Sequence, residues 1–167
     1  MQRVFSLQKL SYFSLMMKQL QILISELESH IPNFDKSYPK VSNSTVGWQI
    51  DHSLIMVNVI VDQLKKSNPN DYKWRFNKFR AIFKIVNQFP RGKVRAPKSV
   101  QPLGTASVEE LKAKVILVRK NLADLELLPA NSYFKHPIFG DLNLKQTIWF
   151  LRLHTKHHLK IIKDIVK

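Results

Sequence analysis

The C-terminal run NLKQTIWFLRLHTKHHLKIIKDIVK, residues 143–167, carries apolar residues at helical spacing from end to end. At about 100° per residue, with His154 set at zero, Phe150, Leu151, His158, Ile161, Ile162 and Ile165 fall within about 80° of it. Arg152, Lys156 and Lys163 fall close to the opposite side. Asn143, with Gln146 three residues on, supplies an N-cap. One amphipathic helix is predicted, packed through a stripe that includes both His154 and His158. His157 lies about 60° from His154, at the margin of that stripe. Trp149 breaks the pattern and is expected against a neighbouring loop.

The same periodicity places the earlier elements. Leu20, Leu23, Ile24, Leu27 and Ile31 predict a helix over about 16–31, stopped by Pro32. Ser44 or Thr45 caps a second helix from about Val46 to Lys66, ended by Ser67-Asn-Pro-Asn70. Asp71 is a candidate cap for a third helix running to about Gln88. Ser107-Val-Glu-Glu110 is a capping-box pattern that opens a fourth, to about Leu127. The Pro- and Gly-marked stretches between these helices, including about 129–142, read as loops. On the second helix His52 shares a face with Trp48, Ile55, Met56, Val59 and Gln63. Ile50, Leu54, Val57 and Val61 make the other side apolar as well, so this helix is expected to be central.

Composition agrees with an all-α fold. The chain has 167 residues, 44% of them hydrophobic and 10% aromatic, with only four glycines. One helical domain over 16–167 is expected, with residues 1–15 as an N-terminal extension. That extension has Arg3 and Lys9 and no acid, but lacks a sustained apolar region and a small-residue cleavage site. It reads as a partly ordered arm of a cytoplasmic protein, and Met16 or Met17 would serve equally well as a start. No apolar run approaches the roughly 20 residues needed to cross a membrane, so no membrane partner is expected. The absence of cysteine removes disulfides, thiolate ligands and a cysteine nucleophile, leaving histidine and carboxylate as the strong metal ligands.

Charge is the second signal. The formal net charge is +15. Residues 71–106 hold nine of the Lys/Arg (Lys73, Arg75, Lys78, Arg80, Lys84, Arg91, Lys93, Arg95 and Lys98) against Asp71 alone, whereas 46–70 and 107–126 each sum to zero. Such a concentration attracts polyanions. It serves equally as a solvated face or as a pocket for a small anion, and no nucleic-acid motif accompanies it.

The chemistry points to histidine. His154 and His158 are one helical turn apart, and His52 points into the same interior from another helix. Burying an imidazole without a partner costs free energy, and three pointing inward call for something that satisfies them. A divalent metal would do so and leave coordination positions open. Carbonyls or waters satisfy buried histidines too, and a His-x-x-x-His pair also arises by chance.

Four stretches together resemble the DinB-like superfamily, in a bacterial branch with a His…His-x-x-His-His pattern. They are Val46-Gly-Trp-Gln-Ile-Asp-His52-Ser, Phe89-Pro-Arg-Gly-Lys-Val-Arg-Ala-Pro-Lys98, His136-Pro-Ile-Phe-Gly140 and His154-Thr-Lys-His157-His158-Leu. They span most of the chain from about residue 17 onward; each alone is weak. The resemblance implies a four-helix bundle of DinB-like type with a pocket at one end. It implies a divalent metal ion (zinc, nickel or iron) on His52, His154 and His158. Members of the superfamily include thiol S-transferases that use bacillithiol or mycothiol, and a mycothiol-dependent isomerase. Scaffold and site are thus implied more firmly than any reaction.

The expected function is therefore a metal-dependent enzyme, a small-molecule thiol S-transferase before a hydrolase. A low-molecular-weight thiol would be its cosubstrate, since the chain has no cysteine. No residue is assigned a catalytic role. His157, Asp51 and His136 are candidates for orienting a ligand imidazole, as is Asp62. Arg91, Lys93, Arg95 and Lys98 are candidates for holding an anionic cosubstrate. Two other readings stay open: a non-catalytic metal- or ligand-binding bundle, which could homodimerise, and an anion- or nucleic-acid-binding protein using 71–106. Nucleic acid is the less favoured partner.

Overall fold

The computed structural model describes residues 2–92 and 100–167, with side chains described from Tyr12 onward. The chain is mostly helical, with one small two-stranded sheet. Helix α1 spans Gln2–Ser29, α2 Val46–Lys66, α3 Lys78–Val86, α4 Val108–Asp124 and α5 Leu144–Val166. Strands β1 (Tyr133–His136) and β2 (Gly140–Asn143) lie between α4 and α5.

The caps sit where side-chain chemistry puts them. Thr45 accepts from the Trp48 amide and opens α2. Ser107 with Glu110, and Asn143 with Gln146, form complete capping boxes at α4 and α5. Pro32 stands in the short 3-10 turn Ile31–Asn33 that follows α1. At its other end α1 begins at Gln2, not near residue 16, since residues 2–15 contain no Gly or Pro to break it.

Two further stretches depart from the sequence reading. The third helix does not start at Asp71; that residue closes a short 3-10 turn over Pro69–Asp71, and residues 72–77 carry no helix. The helix opens at Asn77, whose side chain accepts from the Arg80 amide, and ends at Asn87 in the left-handed region (φ 49°). Arg80 supplies the reason. It is 5% exposed, and its guanidinium donates to the carbonyls of Arg75, Phe139 and Asp141. A buried cation bonded to three backbone oxygens ties the 72–77 segment and the hairpin to α3.

The second departure is the stretch read as a loop over 129–142. It contains an antiparallel hairpin in which Phe134 pairs with Leu142 and Lys135 with Asp141. Phe134 and Leu142 are buried and Lys135 is exposed. The alternation is therefore genuine, but too brief to stand out in the sequence.

The four long helices pack in a ring, α1 against α5, α5 against α2, α2 against α4 and α4 against α1. Leu20, Ile24 and Leu27 of α1, Ile50, Leu54 and Val61 of α2, Leu111 and Val118 of α4, and Leu151 and Ile162 of α5 are all fully buried between them. Each such side chain contributes roughly 1.5–3 kcal/mol relative to exposure. The hairpin packs on α2 and α5. Helix α2 is buried on both faces over Ile50–Leu54, as its two-sided apolar pattern predicts. Gly47 lets the backbone after α1 come close: its amide donates to the Phe34 carbonyl at 2.7 Å. A Cβ at that position would stand 2.9 Å from the same oxygen.

Candidate metal centre

Helices α2 and α5 are neighbours, and their contact brings His52 to His154 and His158. One ring nitrogen from each lies within 4.8 Å of the other two. The ring centroids are 5.1 Å apart for His52 and His154, 4.8 Å for His52 and His158, and 4.5 Å for His154 and His158. His52 and His158 are buried, and His154 keeps part of its surface open.

Hydrogen bonds determine which nitrogens remain available. His52 Nδ1 lies 2.7 Å from the Val100 carbonyl, and His158 Nδ1 lies 2.6 Å from Gln49 Oε1. Both oxygens can only accept, so each Nδ1 carries its ring's proton and each Nε2 keeps its lone pair. Gln49 is itself oriented, because its amide nitrogen donates to Ser42 Oγ at 3.2 Å. This is the arrangement in which a ligand imidazole donates its far N–H to an oxygen and turns the other nitrogen to a metal. The Trp48 ring stacks on His52 with centroids 5.0 Å apart.

The spacing of the α5 pair also suits an ion. His158 Nε2 and His154 Nε2 are 3.3 Å apart. Two metal–nitrogen bonds of about 2.0–2.1 Å, meeting at a tetrahedral or octahedral angle, set their nitrogens about 2.9–3.4 Å apart. Burial, reinforced by the neighbouring imidazoles, holds His154 and His158 well below the ordinary histidine range. Burial also lowers His52, against the Val100 carbonyl and Asp51, which act the other way. Near neutral pH all three rings are therefore uncharged, the state that binds metal.

The other candidate residues have other partners. Asp51 is buried beside His52 in sequence, yet its Oδ1 accepts from Lys114 Nζ at 2.6 Å, joining α2 to α4. Asp62 is exposed and pairs with Lys66 at 2.8 Å. His136 Nδ1 accepts from the amides of Ile138 and Phe139, both at 3.1 Å, and closes the hairpin turn. His157 packs edge-on to His158 and Phe89. With Arg91, Lys156 and Lys160 it lines a cleft of about 340 Å³. Arg91 is held by Asp164 at 2.7 Å. Lys93, Arg95 and Lys98 lie outside the described residues. Trp149 packs against Phe139 of the hairpin and under Lys84.

Sequence reasoning did not single out Gln49 or the Val100 carbonyl. Gln49 left a trace, as a polar residue one turn before His52 on a helix buried all round. Val100 left none, because every residue has a carbonyl and only the tertiary path brings this one to His52.

The chain matches no family model, no curated protein and no solved structure.

Proposed function

We propose that this chain is a DinB-like four-helix bundle that holds a divalent metal ion through His52, His154 and His158 and works as a cytoplasmic metal-dependent enzyme, a small-molecule thiol S-transferase in the first instance. One observation carries the reading: the oxygens on the Nδ1 atoms of His52 and His158 leave two Nε2 lone pairs for a common centre that His154 completes. The ring of four long helices supports the bundle.

A bound ion would supply Lewis acidity, lowering the pKa of a water or thiol that reached it. The chain's own residues do the rest. Val100 and Gln49 hold the imidazoles in one tautomer, and Trp48 covers a face of His52. The Asp51–Lys114 pair cancels a buried charge beside the site. Zinc, nickel and iron all suit a three-imidazole set. With no cysteine in the chain, a reacting thiol comes from the cosubstrate.

The test is elemental analysis of protein prepared without a histidine tag. We expect one divalent ion per chain, lost in His154→Ala and in His158→Ala while the circular dichroism stays helical. Turnover of a bacillithiol-type thiol with an electrophile, abolished in His52→Ala, supports transfer. Stoichiometric metal without turnover of any thiol leaves a binding protein. A chain that takes up no zinc, nickel or iron overturns the reading altogether.

A further inference from the structure

Helix α3 is inverted relative to the other helices. Its buried residue is Arg80, whereas Phe79, Ile82, Ile85 and Val86 are 45%, 51%, 86% and 58% exposed. Phe79, Ile82 and Val86 follow i, i+3, i+7 spacing and form one stripe, with Ile85 at its edge. The helix docks through Arg80 and through Phe83, which packs on Phe89 and Phe139, and the stripe stays exposed beside that contact, Ile85 most of all. Just upstream, Trp74 and Phe76 are 65% and 73% exposed. Thirteen residues, 74–86, thus hold six of the fifteen large exposed hydrophobics among the described residues.

The charge along this stretch of sequence has one sign. Residues 72–92 contain six Lys/Arg and no Asp or Glu. Lys73, Arg75 and Lys78 are exposed among the apolar side chains, and Lys78 Nζ stands 5.4 Å over the Phe79 ring, whereas Lys84 Nζ lies over Trp149 of α5. Isoleucine and valine at the centre with lysine and arginine at the rim is the surface of an interfacial helix.

We infer that α3 and the segment before it seat this protein on an anionic lipid bilayer, with Trp74, Phe79, Ile82 and Ile85 at the headgroup boundary and the lysines against acidic headgroups. A bilayer meets both features, since it offers an apolar layer beneath a negative surface. A second copy of the chain would bring two like-charged rims together, each on a molecule of net charge +15. A nucleic acid would meet the cations but leave Ile82, Ile85 and Val86 with no base to stack on. No helix among the described residues is long and apolar enough to cross a membrane, so the contact lies in the plane of the surface. The inference stands whether or not His52, His154 and His158 hold a metal.

The test uses the full chain and two sets of vesicles, phosphatidylcholine alone and phosphatidylcholine with a third of phosphatidylglycerol. Cosedimentation at about 0.1 M salt should show binding to the anionic set at least about tenfold tighter than to the neutral one. Ile82→Ser combined with Ile85→Ser should weaken that binding by about tenfold or more, and so should Lys73→Glu with Lys78→Glu, each with unchanged circular dichroism. Vesicles should shift the tryptophan emission to the blue in the wild type and less so in Trp74→Phe. Equal binding to both vesicle sets, or anionic binding untouched by the isoleucine pair, overturns the inference. A dimer that the isoleucine pair dissociates, or oligonucleotide binding that it weakens in place of vesicle binding, overturns it in favour of that partner.

Discussion

Gln49 Oε1 and His158 Nδ1 lie 2.6 Å apart, joining the core faces of α2 and α5 through a buried hydrogen bond. The bond orients a candidate ligand and is itself oriented through Ser42. In Gln49→Ala the His158 ring loses the acceptor that fixes its tautomer. Zinc affinity should fall by about 10–100-fold, the usual cost of removing such a support. Competition against a chromophoric chelator measures it, and unchanged affinity would show that the bond serves packing alone.

Metal should also stabilise the fold. With free zinc at about 100 times its dissociation constant, the wild type should gain about 2.7 kcal/mol. His154→Ala should gain almost nothing, whereas His157→Gln should respond like the wild type. Denaturant unfolding with and without zinc distinguishes these outcomes, and an equal response in His154→Ala would remove that residue from the ligand set.

Gly47 should tolerate no side chain without cost. A Cβ there would meet the Phe34 carbonyl at 2.9 Å, and that oxygen is fixed by accepting the Gly47 amide. Gly47→Ala should destabilise the protein by about 1–3 kcal/mol, read as a lower urea midpoint at unchanged slope.

Acid should loosen the hairpin through His136. Burial holds its pKa at about 4, against an ordinary value of 6.5. Above 6.5 both folded and unfolded chains carry this ring neutral, and stability does not change with pH on its account. As pH falls from 6.5 to about 4 the unfolded chain binds a proton that the folded chain refuses, so stability declines throughout that window. Protonation would also turn Nδ1 from an acceptor into a donor facing the Ile138 and Phe139 amides. His136→Asn should make the decline shallower, His52, His154 and His158 with their own lowered pKa values sustaining the rest, as followed by thermal unfolding across the window.

Thr155 is fully buried, and its hydroxyl has no hydrogen-bond partner among the described residues. Thr155→Val keeps the shape and removes an unsatisfied polar group. It should stabilise the protein by about 1 kcal/mol in chemical denaturation, whereas a loss of stability would point to an acceptor that the hydroxyl does use.

Much of this molecule is legible along the chain, because its signals are local. Thr45, Ser107 and Asn143 cap helices through atoms three residues away, and the α5 wheel groups His154 with the residues that pack inward. The misreadings came where a local signal competed with a distant one. Asp71 looked like a helix cap, but Arg80 reaches back to the Arg75 carbonyl and the helix starts at Asn77. The hairpin over Tyr133–Asn143 was hidden in a loop-like composition, with only four residues to each strand.

Periodicity and capping chemistry thus determined the helices and the inward direction of His52, His154 and His158, since both depend on residues within a turn or two. Tertiary structure alone decided that α2 and α5 lie side by side and bring those rings together. It alone supplied the Val100 carbonyl and the Gln49 amide that select which nitrogen is free, and it left the apolar stripe of α3 exposed. Those outcomes follow from how whole elements pack, and packing is settled by the summed burial of a core rather than by the spacing of any one segment.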